Sequence, residues 1–148
     1  AGWGDVSTRF VSYQDTGFVV KNFFSSRVAS FRYAFHGWYH VLRTQQNVWI
    51  HGAIATIVFI LALWLRLPTH DWAILILTSA MVFAAEFMNT AIEAVVDLAS
   101  PDKHPLAKIG KDVGAAAVLV AALAAILIGL LILGPPLWAK LIFLIPNL

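Results

Sequence analysis

The sequence contains no cysteine. Disulfides, thiolate nucleophiles and cysteine-ligated zinc or iron–sulfur centres are therefore excluded. Charge is also scarce. Only 12% of the 148 residues are Asp, Glu, Lys or Arg, against about 25% in ordinary soluble domains. Ten basic and eight acidic residues leave a formal net charge of +2. Together with a high apolar content, this excludes a disordered chain, a nucleic-acid-binding protein and most soluble enzymes.

What the chain has instead is hydrocarbon: 60% of its residues are hydrophobic and the mean hydropathy is +0.79. Residues 44–65 carry no formal charge and only His51 as a titratable group; residues 72–85 and 113–139 are also uncharged. About 20 apolar residues cross a bilayer core of about 30 Å. The expected fold class is all-α integral membrane, with transmembrane helices at about 48–65, 72–98 and 113–133. Arg66-Leu67-Pro68, Ser100-Pro101 and Gly134-Pro135-Pro136 read as their stops. A cleaved leader fits poorly, because the first apolar run starts near residue 48. A soluble helical core would leave too few polar residues to cover a surface.

Before the first span lie Arg9, Lys21, Arg27, Arg32 and Arg43, and the second connection holds Lys103, Lys108 and Lys111. The opposite side has only Arg66 and Lys140. The positive-inside rule places the N-terminus and second connection in the cytoplasm. In residues 25–43, Val28, Phe31, Phe35, Trp38 and Leu42 recur at helical spacing, which predicts an N-terminal amphipathic helix lying at the interface. Residues 1–24 show no clear periodicity and receive no role; 136–148 form a short apolar C-terminal tail. Trp38, Trp49, Trp64, Trp72 and Trp138 fall near predicted span or interface ends, as in aromatic belts. Ala117, Ala121, Ala125 and Gly129 form a small-residue row suited to close helix packing. His36 and His40, spaced i, i+4, read as interface decoration or a metal pair; His51 either contacts nucleotide or packs.

The anomaly is acid inside a span. Glu86, Asn89, Glu93 and Asp97 fall within an arc of about 80° at ~100° per residue. A charged side chain at bilayer depth costs about 2.5–3.5 kcal/mol on insertion scales and marks a functional site by default. The alternative is a hydrogen-bonded cluster that serves assembly. With Asp97 at the cytoplasmic headgroups, Glu86 lies about three turns deeper, so the stripe descends from water into the inner leaflet. A proton path is less suited, since residues 72–85 offer only Thr78 and Ser79 as hydroxyl groups.

Across the loop, Lys108, Lys111 and Asp112 open the third span. Carboxylates that can share a magnesium ion thus lie near ammonium groups that can hold phosphate oxygens, the outline of a phosphoryl-transfer site. The bland reading of the lysines is snorkelling at a helix start. No P-loop, kinase Gly-rich loop or HRD/DFG set is present. Any ATP would be held by helices and the interfacial segment.

The run from Ala85 to Leu98, AEFMNTAIEAVVDL, closely resembles the signature of the prokaryotic diacylglycerol kinase family, as does HPLAKIGKDVGAAAV from His104 to Val118. Ser30-Phe31-Arg32-Tyr33-Ala34, Gly37 and Asn47…His51 fit its N-terminal part, so the match covers about 25–135. HPLAKIGKD is more like the undecaprenol kinase branch than the proteobacterial diacylglycerol kinase branch. The resemblance implies a small three-span lipid kinase of the bacterial cytoplasmic membrane, working as a homotrimer with active sites near subunit interfaces on the cytoplasmic side.

By that resemblance Glu86 is the catalytic base and Glu93 a magnesium ligand. Asn89 and Asp97 orient the cluster, and Lys111 and Asp112 contact the nucleotide. The family often has a second metal-ligand Glu where this chain has Gln45; an amide offers magnesium an oxygen without the charge. The expected function is transfer of the γ-phosphoryl group of Mg-ATP to the hydroxyl of undecaprenol or diacylglycerol. The rival reading is a non-catalytic membrane subunit or scaffold on a kinase-derived fold.

Overall fold

A computed structural model describes residues 15–102 and 104–144. Residues 1–14, Lys103 and 145–148 lie outside the described residues, and with them most of the N-terminal segment without a role, one lysine of the second connection and the end of the apolar tail. The described chain is all helical: α1 (Asp15–Thr44), α2 (Gln46–Leu65), α3 (Thr69–Ala99) and α4 (Pro105–Leu144). It divides into two compact units, one up to His40 and one from Val41 onward.

In the first unit α1 is already helical from Asp15, ten residues before the expected start. Val28, Phe31, Phe35 and Trp38 are exposed on it.

The second unit contains three helices long and apolar enough to cross a membrane, α2, α3 and most of α4. Only 11% of the apolar stretch of α2, and the same of α4, is buried, against 28% for α3. The apolar side chains thus face outward, as lipid requires; α3 is the most buried of the three and packs mainly along α4, with α2 set against both. The chain leaves α1 at Gln45, whose backbone is extended (φ −106°, ψ 112°). Breaking the helix there turns the Gln45 side chain off the helical path.

α2 ends in a Schellman-type cap. Arg66 takes the left-handed conformation (φ 56°, ψ 47°). The Arg66 and Leu67 amides donate to the Leu63 and Ala62 carbonyls, each at 3.1 Å. Pro68, in extended backbone, then keeps α2 from continuing and stands at the N-cap of α3, its carbonyl accepting from the Asp71 and Trp72 amides. Ala62, Leu75 and Leu133 form the buried core near this end, backed by Phe59 and Trp72, whose rings stack at 5.9 Å. Lys140 donates to the Trp64 carbonyl at 2.8 Å and lies 4.0 Å from the centre of its ring. One cation thus tethers α4 to an open carbonyl of the α2 terminus.

One expectation is corrected here. Gly134-Pro135-Pro136 does not end the third span: α4 runs through both prolines to Leu144. Each proline removes one backbone donor, yet in lipid the remaining polar groups can be satisfied only within the helix. Gly134, having no Cβ, removes a clash that would otherwise push the residue before a proline out of helix. Of the small-residue row, Ala117 is exposed, while Ala121, Ala125 and Gly129 are half-buried along the line of α4 that runs from Gly114 and Val118 toward Leu133.

Candidate active site

α3 carries four polar side chains on one face, and burial grades along them. Glu86 is 1% exposed and Asn89 7%. Glu93 is half-buried, and the Asp97 side chain is 65% exposed. The face therefore runs from solvent-accessible surface at one end of the bundle into its interior, as the sequence spacing predicts.

Glu93 is held from two sides. Gln45 Nε2 donates to its Oε2 and Asn89 Nδ2 to its Oε1, each at 3.1 Å. The first bond ties the break before α2 to α3; the second is an i, i+4 pair within α3. Glu86 is different. Neither carboxylate oxygen accepts a hydrogen bond, and His51 Nε2 approaches Oε1 at 3.5 Å. Thr90, the next buried polar residue, satisfies its own hydroxyl by donating to the Glu86 carbonyl at 2.9 Å. The stripe thus holds one acid tied by donors and one nearly bare.

α4 closes the third side. A Cβ at Gly114 would overlap Asn89 Oδ1, itself buried without a donor. No space remains there for any side chain. Gly110, one turn earlier, lies beside Val96, where a Cβ would meet Cγ2 at an ordinary 3.6 Å. The pair Gly110-x-x-x-Gly114 is the sequence signal for this approach, and the longer alanine row masks it. Gly114→Ala is expected to push Asn89 off Glu93, lowering turnover at least tenfold and the melting temperature in detergent by several degrees. Gly110→Ala, as a control, should change both little.

Nearer the surface, Lys111 Nζ pairs with Asp97 Oδ1 at 2.6 Å. Both are substantially exposed, so the pair contributes about 0–1 kcal/mol and gives way readily to a stronger anion. The pair lies in a cleft of about 530 Å³ whose lining includes Asp97, Asp102, His104, Lys108, Lys111 and Asp112. His104 helps start α4, its Nδ1 accepting from the Leu106 amide at 3.2 Å. A second cavity, of about 460 Å³, runs between α2, α3 and α4 from His51 down to Leu137 with an almost wholly apolar lining.

The residues singled out from sequence thus form two adjoining groups: Gln45, Glu86, Asn89 and Glu93 within the bundle, and Asp97, Lys111 and Asp112 around the cleft. His51, left open between nucleotide contact and packing, stands against Glu86. Among the described residues, no three His, Asp or Glu side chains converge as a complete metal cage. The donors at Glu93 are one carboxylate and neighbouring amide groups. That set fits magnesium, which keeps waters and phosphates as its other ligands. It does not suit an all-protein zinc site.

Fold and site define a small, three-span, all-α membrane protein with an acid-lined face opening at one end of the bundle. The prokaryotic diacylglycerol kinase family matches residues 32–133. The chain is 43% identical to a diacylglycerol kinase of Synechocystis over 116 residues, 78% of this chain and 66% of that protein, just under two thirds. It is 42% identical to the undecaprenol kinase of Bacillus subtilis over 108 residues, 73% and 88% of the two chains. With the diacylglycerol kinase of Escherichia coli K12 it shares 36% over 76 residues, 51% and 62%. The chain belongs to the prokaryotic diacylglycerol kinase family, and its class is that of the membrane lipid kinases.

Proposed function

We propose that this protein transfers the γ-phosphoryl group of ATP to the hydroxyl of a membrane lipid alcohol, undecaprenol or diacylglycerol, at the cytoplasmic face of a bacterial membrane. The observation that carries the reading is Glu86: a buried carboxylate without a hydrogen-bond donor, on the same helix face as Glu93 and Asp97. A base kept bare in this way is free to accept a proton from a substrate hydroxyl.

The residues divide the work by depth. Lys111 exchanges Asp97 for phosphate oxygens, and Asp112, beside it in the cleft, contacts the nucleotide. Glu93 and Gln45 would hold magnesium, Gln45 through its amide oxygen, while Asn89 orients Glu93. When bound, the metal neutralises phosphate charge. The apolar cavity below His51 suits a hydrocarbon chain whose hydroxyl end meets Glu86. Glu86 takes the hydroxyl proton as the alcohol oxygen bonds to the γ-phosphorus and the bond to the β-phosphate oxygen breaks.

The excess of basic residues around α1 and the α3–α4 connection supports a cytoplasmic site. The exposed apolar face of α1 supports its lying on the membrane surface. The extensive apolar surface of α2 and α4 leaves room for further copies of the chain, and a homotrimer is expected. The test is phosphorylation by the purified protein with radiolabelled ATP and magnesium, using 1,2-dioleoylglycerol and undecaprenol in separate micelles. A labelled lipid from one of them is expected. No product from either, with no magnesium-dependent nucleotide binding by calorimetry, would favour the scaffold reading.

A further inference from the structure

Glu86 poses a difficulty that its own position does not solve. At 1% exposure it has no direct way to return a proton to water, yet a base must be reset after every turnover. Among the described residues, the polar side chain standing against its carboxylate is His51, with Nε2 3.5 Å from Oε1. The His51 side chain is 18% exposed and lines the head of the apolar cavity. It therefore touches the buried acid on one side and the head of the cavity on the other, and keeps some exposure of its own where Glu86 has almost none.

We propose that His51 is the proton acceptor that resets Glu86. This rests on Glu86 being the base. In the transfer step the alcohol O–H bond breaks and its proton goes to a Glu86 oxygen, while the oxygen–phosphorus bond forms and ADP leaves. The proton then passes from Glu86 to the free electron pair on His51 Nε2, giving a carboxylate and an imidazolium. Loss of that proton to water restores the neutral ring. No redox partner is needed, and each turnover releases one proton.

The groups around this pair fit the role. On α3, Asn89 and Glu93 follow Glu86, and Glu93 is already occupied by two amide donors. On α4, Gly114 packs against Asn89, the residues that line the cavity with His51, among them Ala122 and Ala125, are uncharged, and the cations Lys108 and Lys111 and the acid Asp112 lie around the separate cleft. Gln45, at the head of α2, is committed to Glu93. An imidazolium at His51 is thus stabilised chiefly by the Glu86 carboxylate it has just regenerated.

The test compares His51→Gln, which keeps a donor but cannot carry a proton at neutral pH, with His51→Ala. Each full-length variant is assayed in detergent with 1,2-dioleoylglycerol and with undecaprenol. Both variants are expected to lose about 10²-fold in kcat with KM for ATP and lipid within about threefold of the parent. Added imidazole should restore at least tenfold of the His51→Ala loss and nothing to Glu86→Gln. Melting curves show whether the variants remain folded; if His51→Ala is not, His51→Gln and its pH–rate profile carry the decision. The pH dependence of kcat is expected to differ from that of the parent. A His51→Gln protein with parental kcat, or unaltered pH dependence, overturns the relay. If Glu86→Gln is itself active, the base reading fails instead, so the two failures are distinguishable.

Discussion

Glu86→Gln is expected to lower kcat by about 10²–10⁴-fold, the range set by losing a positioned general base, while KM for ATP changes little. The substitution keeps the shape of the side chain and removes its ability to accept a proton. It should also leave the protein at least as stable as before. The carboxylate is 1% exposed and accepts no hydrogen bond. A charge in that state opposes folding, so a neutral amide should hold or raise the melting temperature in detergent. Lost activity with retained or increased stability separates a functional acid from one that holds helices together. The check is ADP release in a coupled assay beside a thermal melt. Turnover above a tenth of the parent would remove Glu86 from the chemistry.

The same contrast explains which parts of the molecule were legible in the sequence. Uncharged runs of bilayer length leave few alternatives to a spanning helix, so the three spans were plain in hydropathy alone. The four polar residues of α3 announced themselves because their helical spacing placed them on one face in a chain otherwise poor in charge. Their graded burial followed from helix rise. Other features depended on tertiary partners. Whether α4 stopped at Gly134-Pro135-Pro136 turned on the surroundings: in water these residues end a helix, whereas an apolar setting favours continuing it. Gly114 was hard to pick out in an alanine-rich helix, because its significance lies in Asn89 on a different helix. His51 had two ordinary readings until α2 and α3 were placed together. Gln45 departs from the family pattern in sequence, and only the structure reveals that its amide donates to Glu93, so that the neutral residue serves the cluster as a hydrogen-bond donor.

That bond gives the second prediction a sign opposite to the first. Glu93→Ala is expected to weaken magnesium-dependent binding of a non-hydrolysable ATP analogue at least tenfold by calorimetry, and to lower kcat/KM for Mg-ATP by about 10²-fold or more. The loss of the one carboxylate that would hold the ion requires this, since Gln45 and Asn89 bring no negative charge. Stability should fall as well. Glu93 accepts from both amides at 3.1 Å, and removing it leaves two part-buried donors without an acceptor, at about 1–3 kcal/mol each. Glu93→Gln keeps an acceptor oxygen and should recover part of the melting temperature while recovering little of the magnesium response. Glu86 and Glu93 sit two turns apart on one face of one helix, yet the first is held bare and the second fully engaged. If both glutamine variants shifted stability in the same direction, or if Glu93→Ala bound the magnesium-dependent analogue as the parent does, the division of that face into a base and a metal-holding acid would be wrong.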